Sequence, residues 1–106
     1  MRPIPPELKE EMSNDIYYKQ CCLSSLGNCS NEIQWHHNLI FGGKQVNEKF
    51  CILPVCKYHH DIANNRYIRE RLDHIMLQRA TDEQLKPFCK AINWIERKKT
   101  LAKMYV

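Results

Sequence analysis

Apolar positions along the chain fall into two short runs and two helical periodicities, and these predict most of the architecture. Ile33 and Trp35 make the first short run, a strand that closes on His36-His37. A Gly42-Gly43 loop follows, then a second strand-like run from Phe50 to Val55, then a polar segment opening at Cys56 that reads as a helix. Downstream, Ile68, Leu72, Ile75 and Met76 recur at i, i+4, i+7 and i+8, one apolar face of a helix from about Arg66 to Arg79. Thr81 to Gln84 fits a capping box that opens another helix, which Pro87 kinks or restarts, with Phe88, Ile92 and Ile95 on its buried face. The basic tail ERKKTLAKMYV is expected to fray. Upstream, MRPIPP reads as extended, and Pro6 opens a helix to about Asn14 with Glu7, Glu10 and Glu11 in its early turns. Asp15 to Gln20 fits strand or packed coil, and CCLSSLGNCS, residues 21–30, is a loop bracketed by thiols. No repeat, low-complexity stretch or linker interrupts the chain. The expectation is a single α+β domain over 1–106, with a compact core at 21–65 and a helical segment at 66–106.

A chain of 106 residues encloses only a small core, so a metal staple is physically attractive. Six cysteines would suggest disulfides in a secreted chain, but MRPIPPELKEEM lacks the apolar stretch of a secretory signal and no run reaches membrane-spanning length. The thiols are therefore expected in a reducing cytoplasm. A net charge of +4 and a pI near 8.8 permit nucleic-acid binding without requiring it.

Cys56 and His59, in C-x2-H spacing on the first turn of a helix, can hold one tetrahedral ion together with Cys21 and Cys29, which bracket the preceding loop. Cys22 is an alternative to Cys21, and buried apolar thiols are the alternative to a site of any kind. His60 must face elsewhere, because successive helical residues diverge by about 100°. Asn64, one turn on, shares its face, and His36 or His37 can add a further ligand for a hard divalent ion. Strand neighbours point to opposite sides, so one of that pair can bind the ion while the other addresses a water beside it. Phosphodiester hydrolysis suits such a site: a neutral imidazole takes a proton from water, and a metal neutralises charge on the phosphoryl and leaving oxygens. His74 stands alone and reads as a surface or satisfied core residue.

In order, Trp35-His36-His37, Asn47 and Cys56-Lys57-Tyr58-His59-His60 resemble the HNH (ββα-metal) endonucleases, most of all small phage and prophage nucleases similar to the RecA-dependent recombination-enhancement type. The resemblance covers about residues 21–65. It implies a ββα-metal core with a zinc knuckle, and cleavage of DNA, duplex or single-stranded, that leaves 5′-phosphate and 3′-hydroxyl ends. His36, His60 and Asn64 would bind Mg²⁺ or Mn²⁺, His37 would be the general base, and Asn47 would orient it. Cys21, Cys29, Cys56 and His59 would hold Zn²⁺. It further implies a phage- or prophage-encoded protein in the bacterial cytoplasm, with a phage or host recombination or replication protein as partner. The chain departs from the family in two places. The middle asparagine usually stands about where this chain has Cys51, which leaves Asn38 as a rival to Asn47 and Cys51 as a rival zinc ligand. The last ligand, often histidine, is Asn64 or Asn65, and an amide suits Mg²⁺ or Mn²⁺ better than softer ions.

Gly42-Gly43 would let backbone approach a phosphate, with Lys44 and Gln45 beside it. Lys57, Arg66 and Arg69 flank the metal-binding helix, and Arg97, Lys98, Lys99 and Lys103 make a basic tail; a plain turn and solvated faces are the structural alternatives. A zinc-stabilised nucleic-acid-binding or adaptor module without catalysis is the competing function, and a regulator built on a nuclease scaffold is a third. A purely structural zinc module has no use for His37 and His60, which favours the enzyme.

Overall fold

Strands β1 (Ile33–His37) and β4 (Ile52–Cys56) pair antiparallel, with Trp35 opposite Pro54, His36 opposite Leu53 and His37 opposite Ile52, in a computed structural model that describes residues 3–105. Opposed residues share a sheet face, and the two faces differ. Leu53 and Val55 join Leu72, Met76 and Leu77 in the main core, whereas Ile52 packs with Met12, Tyr18 and Trp35 in a second, smaller cluster. His36 therefore lies on the main-core face and His37 on the other. Pro54 is accommodated because its carbonyl, on the edge away from β1, accepts the Cys22 N–H at 2.8 Å, and the missing proline donor faces that same edge.

Between these strands, β2 (Ile40–Phe41) and β3 (Lys44–Gln45) form a hairpin where a loop was expected. Gly42 and Gly43 occupy its turn at φ +61° and +76°, a left-handed pair that matches the twist of the flanking strands and favours glycine at both places. The second apolar run is shorter as strand than its sequence suggests, because Lys49–Cys51 form a 3₁₀ turn before β4. Residues 16–19, expected as strand or coil, are a 3₁₀ turn capped by Asp15.

The helices are α1 (Pro6–Ser13), α2 (Lys57–Asp61), α3 (Arg66–Arg79), α4 (Asp82–Leu85) and α5 (Trp94–Met104). The capping box of Thr81 and Gln84 is present, and α3 has the expected bounds. Two expectations fail. The segment after Phe88 is not helical until Trp94, since Asn93 caps α5 by accepting the Glu96 N–H, and this leaves Ile92 outside the helix and 48 % exposed. Nor does the tail fray. Leu101 is fully buried, α5 packs on α3, and Lys98 donates to the Ala80 carbonyl at 2.8 Å. The result is a small α+β protein with two two-stranded sheets. Among the described residues no helix is long and apolar enough to cross a membrane.

Candidate functional site

The junction of β4 and α2 brings four soft donors together. Cys56 is the N-cap of α2 and His59 is one turn on, so both face the loop that carries Cys21 and Cys29. The three sulfurs lie 3.5 Å (Cys21), 3.6 Å (Cys29) and 3.1 Å (Cys56) from His59 Nδ1, and all four donor atoms lie within 4.8 Å of one another. Atoms held about 2.0–2.3 Å from a central tetrahedral ion stand roughly 3.5–3.8 Å apart, so the set has the chemistry and the spacing for zinc. Backbone N–H groups support the sulfurs: Leu23 donates to Cys21 Sγ and His59 to Cys56 Sγ, each at 3.4 Å. Burial works against ionising Cys56, but N–H donation from His59 and Ser30 outweighs it and brings the thiol down to about 6. Cys21, not Cys22, belongs to the cluster. Cys51 stays apart, buried in its 3₁₀ turn with its thiol directed at the Val46 and Glu48 carbonyls.

His60, next to His59 on α2, leaves the cluster and meets His36 of β1 edge to face, ring centroids 5.5 Å apart. Burial, and then the neighbouring His60 ring, hold the His36 pKa below its ordinary value, which keeps a lone pair free at neutral pH. His37 faces the other way and has its own partner: Asn47 Oδ1 lies 2.8 Å from its Nε2. The Asn47 amide is itself oriented, since its Nδ2 donates to the Pro3 carbonyl at 3.0 Å. Asn38 does not contact His37 in this way; its amide donates to Asp73 Oδ1 of α3 at 3.0 Å.

A cleft of about 740 Å³ opens beside these groups, with His36, His37, Asn64, Arg69, Asp73 and Arg97 among its lining residues. Asn64 arrives there by a route other than the expected one. Helix α2 stops at Asp61, because Ile62 caps it and the chain turns through Ala63, whose N–H reaches only the His60 carbonyl. Asn64 is therefore exposed in the turn before α3 rather than one helical turn above His60. Asn65 caps α3, accepting the Tyr67 N–H at 2.9 Å.

The basic residues divide. Arg69 lines the cleft, and Arg66 stands beside it in an adjoining groove that also holds Asn64, Arg69 and Arg97. Lys57 is paired with Asp61 at 2.9 Å on the exposed side of α2. Lys44 sits on the hairpin in another recess, with Asn47, and Gln45 pairs with Ile40 across the hairpin. Asp73 escaped sequence reasoning, and Arg97, expected as part of a basic tail, has a more definite place. Asp73 is half-buried between Asn38 and Arg97, whose Nη2 is 3.6 Å from its carboxylate; partial burial raises the Asp73 pKa, and Asn38, Arg97 and Arg69 oppose the rise. Arg97, counted in a loose tail, is brought to the cleft by α5. The spacing of Arg66, Arg69, Glu70 and Asp73 on α3 was the available signal, a polar stripe opposite the apolar one.

Comparison of the chain with protein-family models, curated proteins and solved structures returns no match.

Proposed function

We propose that this chain is a small metal-dependent endonuclease of the HNH (ββα-metal) kind that hydrolyses phosphodiester bonds in DNA. The observation that carries the reading is the Asn47–His37 contact beside the His36–His60 pair, all at one end of a strand whose partner strand leads directly into the Cys3His cluster. The Pro3 carbonyl can only accept, so it fixes the Asn47 amide nitrogen on its side and the amide oxygen on the side of His37. Nε2 of His37 is then the protonated nitrogen, and Nδ1 carries the lone pair. A ring held in that tautomer beside the cleft is equipped to take a proton from a water attacking phosphorus.

His36, kept neutral, His60 and Asn64 are the residues that would hold Mg²⁺ or Mn²⁺, an imidazole and amide set suited to a harder ion. Such an ion supplies neutralisation of the phosphoryl and leaving 3′ oxygens. Arg69 adds positive charge for the flanking phosphates, and Arg97, whose charge Asp73 partly offsets, offers further N–H donors. The Cys3His set offers a closed, four-ligand site for Zn²⁺, which suits a structural role.

The test is cleavage of plasmid and single-stranded DNA with Mg²⁺, with Mn²⁺ and with neither, comparing wild type with His37→Ala and measuring zinc on the same samples. Metal-dependent cleavage lost in the variant, with about one zinc retained per chain, is the expected result. Wild type that is inert on every substrate while zinc stays bound refutes the nuclease and leaves the zinc-stabilised binding module.

A further inference from the structure

The cleft does not end at its polar groups. Three of its lining side chains are apolar: Ile40 of β2, Ile92 from the connection before α5, and Trp94 at the start of α5, and none of them borders the groove of Asn64, Arg69 and Arg97. The same three side chains line a smaller recess of about 190 Å³ together with Phe41, Phe88 and Lys90. The rings of Phe41 and Phe88 meet edge to face at 5.4 Å and give this recess a fixed aromatic side. Ile40 is 64 % exposed, so neither it nor Ile92 is held in place by the core. Scattered exposed aliphatic residues are ordinary on protein surfaces. These two are not scattered, since both border one cleft that also carries Arg69, Arg97 and the histidines, and both line the smaller recess, which those polar groups do not reach.

A nucleotide has the same division: an anionic phosphate at one end and a flat apolar face at the other. Binding of single strands commonly combines a basic track with apolar or aromatic platforms on which bases rest. A base in continuous duplex offers no free face, because stacking and pairing occupy it. Resting on the nuclease reading above, we infer that Ile40 and Ile92, over the exposed edge of the otherwise buried Trp94, receive an unpaired base of the DNA strand whose phosphate lies at His36 and His37, so that the substrate is single-stranded, frayed or branched DNA rather than continuous duplex. Arg69 and Arg97 hold the phosphate end, and the recess toward Phe41 and Phe88 sets how far the base can enter.

Binding without cleavage tests this. The zinc-loaded protein, with no Mg²⁺ or Mn²⁺ added, is titrated at low salt by fluorescence anisotropy against three end-labelled probes. These are a thymidine oligonucleotide, the same strand with its central bases removed to leave abasic sugars, and a duplex of equal length. The base-bearing strand is expected to bind about tenfold or more tightly than the abasic strand. The double variant Ile40→Ser/Ile92→Ser is expected to lose most of that preference while binding the abasic strand as wild type does. Both side chains are exposed, so its melting temperature serves as a check that the fold is intact. Equal affinity of wild type for the two strands, or a preference for duplex, overturns the base recess and leaves the nuclease reading standing. Failure of the folded protein to bind any of the three overturns the nuclease reading and the recess together.

Discussion

Stripping metal from Cys21, Cys29, Cys56 and His59 is expected to detach the 21–30 loop and to lower the melting temperature by about 20 °C or more. The size follows from what else holds the loop. The cluster closes spans of 8 residues, Cys21 to Cys29, and 27 residues, Cys29 to Cys56. On a (3/2)RT ln n estimate, closing the first costs about 2 kcal/mol of chain entropy; the second is largely closed already by the pairing of Ile33 with Cys56, and ordering the residues between costs a few kcal/mol more. Without metal the loop retains the buried Leu23 side chain, worth about 1.5–3 kcal/mol. It also retains the Cys22 N–H to the Pro54 carbonyl, and the Lys57 N–H to the Glu32 carbonyl just beyond it, each worth about 1 kcal/mol net. These gains and the closure cost nearly cancel, so the metal decides whether the loop stays docked. The loss is then the zinc's own contribution to folding; even about 5 kcal/mol, well under the roughly 10–16 kcal/mol such sites can supply, moves the midpoint of a domain of this size by 20 °C or more, at roughly 4–8 °C per kcal/mol. The assay is calorimetric melting of zinc-loaded protein and of protein freed of zinc by a strong chelator, with metal content measured on both. Cys21→Ser should lose the zinc, whereas Cys22→Ser should keep it. A verified zinc-free sample that melts within a few degrees of the loaded one would refute the reasoning, and the four side chains would then be no more than a thiol cluster.

Other perturbations follow from the same structure. Asn47→Ala leaves His37 free to rotate and to change tautomer; kcat should fall by about one to two orders of magnitude with KM nearly constant, and the pH–rate profile should shift. Arg69→Gln should weaken oligonucleotide binding and flatten the log–log salt dependence by about 0.7 for single strands, read from anisotropy at several ionic strengths. Leu101→Ala, in the tail that proves to be packed helix, should cost about 2–5 kcal/mol in urea unfolding, far more than a frayed end would allow. His74 is stacked on Tyr105 at 5.0 Å, and burial, with Arg71 secondary, lowers its pKa from 6.5. The unfolded chain then binds the proton more readily than the folded one, so this contribution is intact above about pH 6.5 and is lost as pH falls below it. His74→Phe should keep the stacking and reduce the slope of melting temperature against pH in that range.

Much of this was legible in the residues. The two apolar runs mark β1 and β4, the periodicity of Ile68, Leu72 and Met76 marks α3, and C-x2-H at a strand–helix junction marks the zinc-type cluster. The main failures lie at helix ends. Helix α2 was extended to Asn64 because no glycine or proline ends it, whereas the stop comes from the turn at Ile62. Pro87 suggests an earlier start for the last helix than the chain adopts; Asn93, three residues before Glu96, is the capping signal that places α5. With α5 so placed, Trp94 and Leu101 face the core, Ile92 falls outside, and Arg97 meets Asp73. The choice between Cys21 and Cys22 was beyond sequence reasoning, since adjacent thiols differ only in the direction the local turn gives them.

Helix α2 is only five residues long, too short to be stable by itself, and yet two consecutive residues of it serve two sites. His59 is buried in the Cys3His cluster while His60 is exposed and turned to His36. The direction of His60 is thus set by whatever holds His59, and the cluster fixes the proposed catalytic ligand as firmly as it fixes the loop. On the proposed reading, a chelator that abolishes cleavage therefore does not identify the catalytic ion, because it acts through His59 as well as through the cleft. The two effects separate by affinity. Three thiolates and an imidazole hold zinc far more strongly than two imidazoles and an amide hold Mg²⁺. Mild chelation should empty the cleft alone, leave melting unchanged, and be reversed by Mg²⁺. Harsh chelation should lower the melting temperature, and added Mg²⁺ should not then restore cleavage until zinc has been returned.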